Sequence, residues 1–211
     1  MADTLDLLSL AEGKAAVGIT DAGTSLDTLL AQKITAVSRR FDRSFGPVVV
    51  RTYTDEVHPG GHESIWVRHW PVSSFTTVTE YAATVSQALT SEDFDTQPTE
   101  GYFAERWHTP TANFSGRLYR RGGGARAVFP VGPEAVKVTY VAGRAANTAA
   151  VDPAFKDAAS VMLKNTWRPH EAATQIMNEF DVPAQNFPRF GVPNYVIDML
   201  AEEVVDHLVV A

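Results

Sequence analysis

Apolar positions along the chain follow two periods, and the change between them organises the sequence. Leu26, Leu30, Ile34, Val37, Phe41 and Phe45 recur at steps of three or four, which places them on one stripe of a helix. Arg39, Arg40 and Arg43 lie off that stripe, and Gly46-Pro47 is the expected stop. Upstream, Ser9-Leu10-Ala11-Glu12 has the form of a capping box, opening a short helix that should end at Gly18. Thr24-Ser25-Leu26-Asp27 has the same form before the longer helix. Near the other end, Asp152 as N-cap and Pro153 at the first helical position open a third helix. Its buried face should carry Phe155, Ala159, Met162, Leu163 and Thr166, with Trp167 beside them and Arg168-Pro169 as terminator. A last helix is expected with Val196, Leu200, Val204 and Leu208 on one side.

Between the second and third helices the pattern becomes that of strands. Val48–Tyr53 and Ser64–Val67 are β-rich runs with the turn signal Pro59-Gly60-Gly61 between them, which predicts a hairpin. Phe75–Tyr81, Arg117–Arg121 and Val136–Val141 also favour extended backbone, the latter two framing Gly122-Gly123-Gly124. Ser91 to Ser115 is polar and interrupted by Pro98, Gly101 and Pro110, so short strands and long loops are expected there. The expected fold is α+β: a helical bundle packed around a small antiparallel sheet, with long loops and an extended C-terminal arm. The expected division is a core domain, 1–169, with two N-terminal helices, a central β region over 48–141 and a helix over 153–168. An arm with a terminal helix follows over 170–211.

Composition narrows the chemistry. The 211 residues contain no cysteine, which excludes disulfides, thiolate metal sites and a cysteine nucleophile. Eighteen basic against twenty-five acidic side chains give a net charge of −7, a poor balance for gripping nucleic-acid phosphates. No apolar run approaches the ~20 residues of a membrane helix. Met1-Ala2-Asp3-Thr4 lacks the basic start of a secretory signal, so none is expected.

Candidate sites are few. His58-Pro59-Gly60-Gly61-His62 brings two imidazoles close in sequence, but the proline and glycines forbid the helix that would put both on one face. A polar turn is the better reading. Gly122-Gly123-Gly124, flanked by Arg120, Arg121 and Arg126, could cradle a phosphate, yet it matches no known phosphate loop; a mobile loop with exposed arginines that contacts a partner fits better. Clusters such as Glu92-Asp93-Asp95 read as solvated faces. The four tryptophans read as packing residues, with one or two facing a subunit neighbour. No catalytic constellation emerges, and neither a metal nor another cofactor is expected.

The order of the pieces is more informative than any one of them. Two helices lead to Trp70-Pro71-Val72-Ser73-Ser74-Phe75-Thr76-Thr77-Val78, then to Gly116-Arg117-Leu118-Tyr119-Arg120. Val136-Lys137-Val138-Thr139-Tyr140-Val141-Ala142-Gly143 follows, and then Val151-Asp152-Pro153-Ala154-Phe155-Lys156-Asp157-Ala158 at the third helix. This succession, from Ser9 to Arg168, resembles the head-to-tail connector (adaptor, head-completion) proteins of long-tailed bacteriophages. Phe75, Asp152 and Phe155 depart from the family's usual residues, and the tail after Pro169 matches loosely.

The resemblance implies a non-enzymatic virion protein at the head–tail interface, made and assembled in the host cytoplasm. It would form a homo-oligomeric ring of twelve beneath the portal, extend the DNA channel without binding DNA specifically, and present a platform to a stopper or tail-completion protein. No membrane is involved. On this view Phe187, Phe190, Tyr195 and Leu200 in the tail dock on the portal. Arg39, Arg40 and Arg43 pair with a neighbouring subunit, and Arg120, Arg121 and Arg126 face the channel or the stopper. Two rivals make different demands. A small metal- or nucleotide-dependent hydrolase would use His58, His62 and nearby acids. A nucleic-acid-binding module would use Arg39-Arg40-Phe41-Asp42-Arg43.

Overall fold

The computed structural model describes residues 3–20, 23–83, 85–93, 95–96, 98–106, 114–174 and 192–200, with the backbone alone over 168–174. The chain divides into two compact units, one of Met1–Val49 with Ala145–Ala211 and the other of Val50–Arg144.

The first unit is helical. Its elements are α1 (Leu10–Val17), α2 (Asp27–Phe45), α3 (Pro153–Thr174) and α4 (Asn194–Met199), with a short 3-10 turn over Thr148–Ala150. The capping box on α1 forms in full: the Glu12 N–H donates to the Ser9 hydroxyl oxygen at 3.2 Å, and the Ser9 N–H donates to the Glu12 carboxylate at 2.7 Å. Gly18 ends α1 in the left-handed region at φ 77°, where a Cβ would be strained. The second expected box does not form. Leu26 itself is the N-cap of α2 with no side-chain bond, and it is 38% exposed whereas the rest of its stripe is buried. Asp152 caps α3 as expected, accepting from the Ala154 N–H at 2.8 Å. The helix does not stop at Pro169; it continues to Thr174. A proline removes one hydrogen bond from a helix, and the Glu-Ala-Ala run after His170 is strongly helix-forming.

Phe41, Phe45 and Phe155 meet at the centre of this unit with ring centroids 5.6–6.4 Å apart. Val196 and Leu200 belong to the same buried cluster. The buried Ser38 and Asp6 side chains are hydrogen-bonded. Ser38 donates to the Ile34 carbonyl and accepts from the Leu7 N–H. Asp6 accepts from Thr35, while burial pushes its carboxyl above the ordinary range. Lys156 donates to Glu12 at 2.7 Å, tying α3 to α1.

The second unit is all β. Its strands are β1 (Arg51–His58), β2 (Ser64–Trp66), β3 (Val72–Ala82), β4 (Val85–Ser91), β5 (Glu100–Arg106), β6 (Phe114–Gly122), β7 (Ala125–Arg126) and β8 (Val136–Ala142). They run in the order β1-β8-β3-β4-β5-β6-β2, with β7 paired to β6. A further pairing of β3 with β6, at Val72 and Phe114, closes β3-β4-β5-β6 into a four-stranded barrel. All pairings are antiparallel except β4 with β5. Alternation selects the inward set: β8 buries Val136, Val138, Tyr140 and Ala142, while Leu118, Leu89, Tyr102 and Ala104 come from the other strands. Gly123 and Gly124, at φ 58° and 77°, make the tight turn from β6 to β7 that two residues with side chains would resist.

This architecture overturns the expected fold class. The sheet is large, closes on itself and has its own core, and the helices form a second core of their own; this is not a helical bundle around a small sheet. The expected hairpin over Val48–Val67 is absent too. β1 pairs with β8 and β2 with β6. The physical reason lies at the turn between them. The Gly60 N–H donates to the Gly132 carbonyl and the Gly61 N–H to the Phe129 carbonyl, so that turn is docked on the 129–132 loop. A Cβ on Gly60 would lie 1.8 Å from the Pro130 carbonyl oxygen, a separation only glycine permits.

Candidate functional site

Reactive side chains in the β unit are held in structural networks. The β1 strand bulges between Tyr53 and Glu56, with Asp55 at φ 55°. That bulge aims the Glu56 carboxylate at Tyr140, whose hydroxyl donates to it at 2.7 Å. The Arg68 N–H donates to the other Glu56 oxygen at 2.8 Å, and His58 Nε2 lies 2.9 Å from that oxygen. Burial, reinforced by the Glu56 carboxylate, holds the Tyr140 phenol protonated far above its ordinary value. Burial also pushes the His58 imidazole below its ordinary value, against the pull of Glu56. Tyr53 lies stacked between His69, 3.9 Å away, and Tyr140, 5.3 Å away. Glu56 is the hub of this group and ties β1 to Tyr140 of β8. Among the described residues no group of three or more histidines and carboxylates could hold a metal. His58 is buried, and His62 sits on the docked turn, where its carbonyl accepts from the Phe129 N–H.

Arg120, expected in an exposed loop, is instead an inward-facing residue of β6 and 6% exposed. Its guanidinium donates to both oxygens of Glu80 at 2.7 and 2.8 Å and also to Glu100. Burial lowers its proton affinity, but the two carboxylates outweigh that and hold it charged. Arg121 and Arg126 point the other way. Arg121 pairs with Glu92 at 2.6 Å, and Arg126 is exposed. On α2, Arg39 pairs with Asp3 at 3.1 Å, Arg40 is half-buried, and Arg43 is exposed. Of the expected tail anchors, Phe187 and Phe190 lie outside the described residues. Leu200 is buried in the helical core, and Tyr195 is 45% exposed with its hydroxyl accepting from Asn165 at 2.7 Å.

The sequence reading missed a surface feature. Outward positions of β2, β5 and β6 bring Trp66, Phe103, Arg117 and Tyr119 together, with Arg126 from β7 beside them. The Arg117 guanidinium lies 5.2 Å from the Trp66 ring and 4.7 Å from the Tyr119 ring, and the Arg126 guanidinium lies 5.1 Å from the Tyr119 ring. The alternation Arg117-Leu118-Tyr119-Arg120-Arg121 already announced one outward row. Nothing local announced that Trp66 and Phe103 would be its cross-strand partners.

The fold defines a class: a four-stranded barrel with added strands in one unit and a small helical bundle in the other. No family model matches the sequence, and no curated protein matches it. Among solved structures, the chain is similar to one in "Neck of empty GTA particle computed with C6 symmetry", with a TM-score of 0.55 and 16% identity over 93% of this chain and 89% of that one.

Proposed function

We propose that this chain is a structural protein of the neck of a phage-like particle, a head-to-tail connector that assembles as a ring. The observation that carries the reading is the shared fold across 93% of the chain with a neck protein of a GTA particle, a phage-like gene transfer agent. The order of motifs from Ser9 to Arg168 points the same way. The polar networks support a role played by shape, since they join strands to one another.

In this proposal the protein resides in the virion, copies of the chain surround the DNA channel, and twelve of them form the ring. A six-fold neck accommodates twelve copies as two sets of six. The arm over 170–211 reaches the portal through Phe187, Phe190 and Tyr195, while Arg121 faces the channel or the stopper, and Arg39, Arg40 and Arg43 support a neighbour. An acidic subunit suits a conduit that DNA must traverse without being held. Leu200 serves the helical core, so truncation after Pro169 would strip a buried residue along with the arm.

The test therefore uses the double substitution Phe187→Ser/Phe190→Ser in the full chain. Purified portal mixed with the wild-type protein should show an added ring of density by electron microscopy, and the double variant should not bind the portal. A wild-type protein that leaves the portal bare overturns the reading.

A further inference from the structure

The outward face of β2, β5, β6 and β7 has the composition of a binding surface. Trp66 is 46% exposed and Phe103 39%, although both are large and apolar. Between and beside them, Arg117, Tyr119 and Arg126 form a ladder in which cation and ring alternate. Trp, Tyr, Phe and Arg are the residue types that concentrate in the energetic centres of protein interfaces. The ladder is also fixed in advance. Trp66 stands opposite Arg117 and Phe103 opposite Tyr119 in strand register, so little side-chain freedom remains to be lost on binding.

The charges identify the occupant. Among the described residues, the partners of the Arg117 guanidinium are the Ser64 hydroxyl at 3.3 Å and the two rings, while the Glu105 carboxylate on the same face accepts from the Ser115 and Tyr119 hydroxyls at 2.9 and 3.4 Å. Arg126 lies 4.0 Å from Glu63, at the limit of an ion pair. A guanidinium that lies over aromatic rings keeps N–H donors in its plane for a carboxylate arriving from outside. The chain as a whole has seven more acidic than basic side chains, so the rest of a second copy's surface supplies carboxylates in excess. Two copies meeting through this face on both sides would oppose arginine to arginine, which like-charge repulsion disfavours.

We propose that this face is one half of a head-to-tail contact between copies of the chain, docking on an acidic surface elsewhere on the neighbour. Such heterologous contacts close into rings when the rotation allows. The inference deepens the connector reading and rests on it for the ring, though not for the contact itself.

The experiment uses the full-length protein. Sedimentation up to a few hundred micromolar should show self-association that weakens as salt is raised. Arg117→Glu and Trp66→Ala/Phe103→Ala should each weaken it by about tenfold or more with unchanged circular dichroism. Arg117→Lys, which keeps the charge and loses the planar stack, should fall between. With p-benzoylphenylalanine at position 103, photo-crosslinks should join two copies and map to an acidic surface outside the β2–β5–β6–β7 face. A wild-type protein that stays monomeric overturns the proposal, as do variants that associate normally or crosslinks between like faces. Salt-sensitive binding of a single-stranded oligothymidine that the variants lose also overturns it, because stacked rings with arginines would then serve nucleotide bases. Self-association through this face in a protein absent from the particle neck would remove the connector reading and leave the contact. A neck map with Trp66 and Arg117 in solvent would do the reverse.

Discussion

Arg120 shows how one residue's environment changes its meaning. Beside three glycines and another arginine it reads as a loop cation, yet it is an inward residue of β6 bound to both oxygens of Glu80. A buried pair gains little over an apolar pair of the same shape, but removing one partner leaves an uncompensated charge, at a cost of about 3–5 kcal/mol. Arg120→Met should lower unfolding free energy in urea by that order, and adding Glu80→Leu should recover much of it. His58 makes a pH prediction. Burial holds its folded pKa below the ordinary imidazole value of about 6.5, so below that pH the unfolded chain binds more protons than the folded one. Stability then rises with pH through the mildly acidic range and levels off above about pH 6.5. Urea midpoints measured from pH 5 to pH 8 should show that rise, and His58→Gln should reduce it.

At the scale of elements, two close approaches differ in what they can tolerate. A Cβ on Gly60 meets the Pro130 carbonyl at 1.8 Å, fixed backbone that also belongs to a docked loop. Gly60→Ala should cost about 3 kcal/mol, the upper range for over-packing. Gly13 in α1 faces the far end of the Ile34 side chain at 2.5 Å, which can rotate away. The gain in helix propensity, about 1 kcal/mol for Gly→Ala, offsets part of that strain, so Gly13→Ala should remain within about 1 kcal/mol of wild type. Thermal unfolding of the two variants side by side checks the contrast.

The same scale shows what the sequence made legible. Helix positions were readable because their signals are local: the Ser9 box, the apolar stripe on α2, and Asp152-Pro153 at α3. Strand existence was readable from alternation, as in Val136–Ala142. Strand partners were not. β1 finds β8 and β2 finds β6, while the local pattern at Pro59-Gly60-Gly61 is that of an ordinary hairpin turn whose docking on the 129–132 loop depends on residues remote in sequence. The barrel closure at Val72 and Phe114 is equally remote in sequence, and without it the sheet reads as small and open. The surface face suffered from the same limit: one row was visible in β6, while its aromatic neighbours arrive through pairing.

For the whole molecule, the decisive property is how an acidic protein behaves toward duplex DNA and toward metal. A nucleic-acid-binding module built on Arg39, Arg40 and Arg43 would release counterions on binding, so its affinity would fall steeply as salt rises. The structure instead pairs Arg39 with Asp3 and places all three arginines on a helix whose opposite stripe is core. With a net charge of −7, the long-range field repels phosphates before any local contact forms. Duplex DNA at about 50 mM salt should show no mobility shift with the protein in micromolar excess, and Arg39→Ala/Arg43→Ala should change nothing. A metal-dependent hydrolase makes the opposite demand: purified protein should carry stoichiometric metal, and His58→Gln should abolish it. Here His58 lies buried against Glu56, so elemental analysis should find no stoichiometric ion in the wild type. A steep salt-dependent shift, or a bound metal lost in His58→Gln, would replace the proposed connector role with one of its rivals.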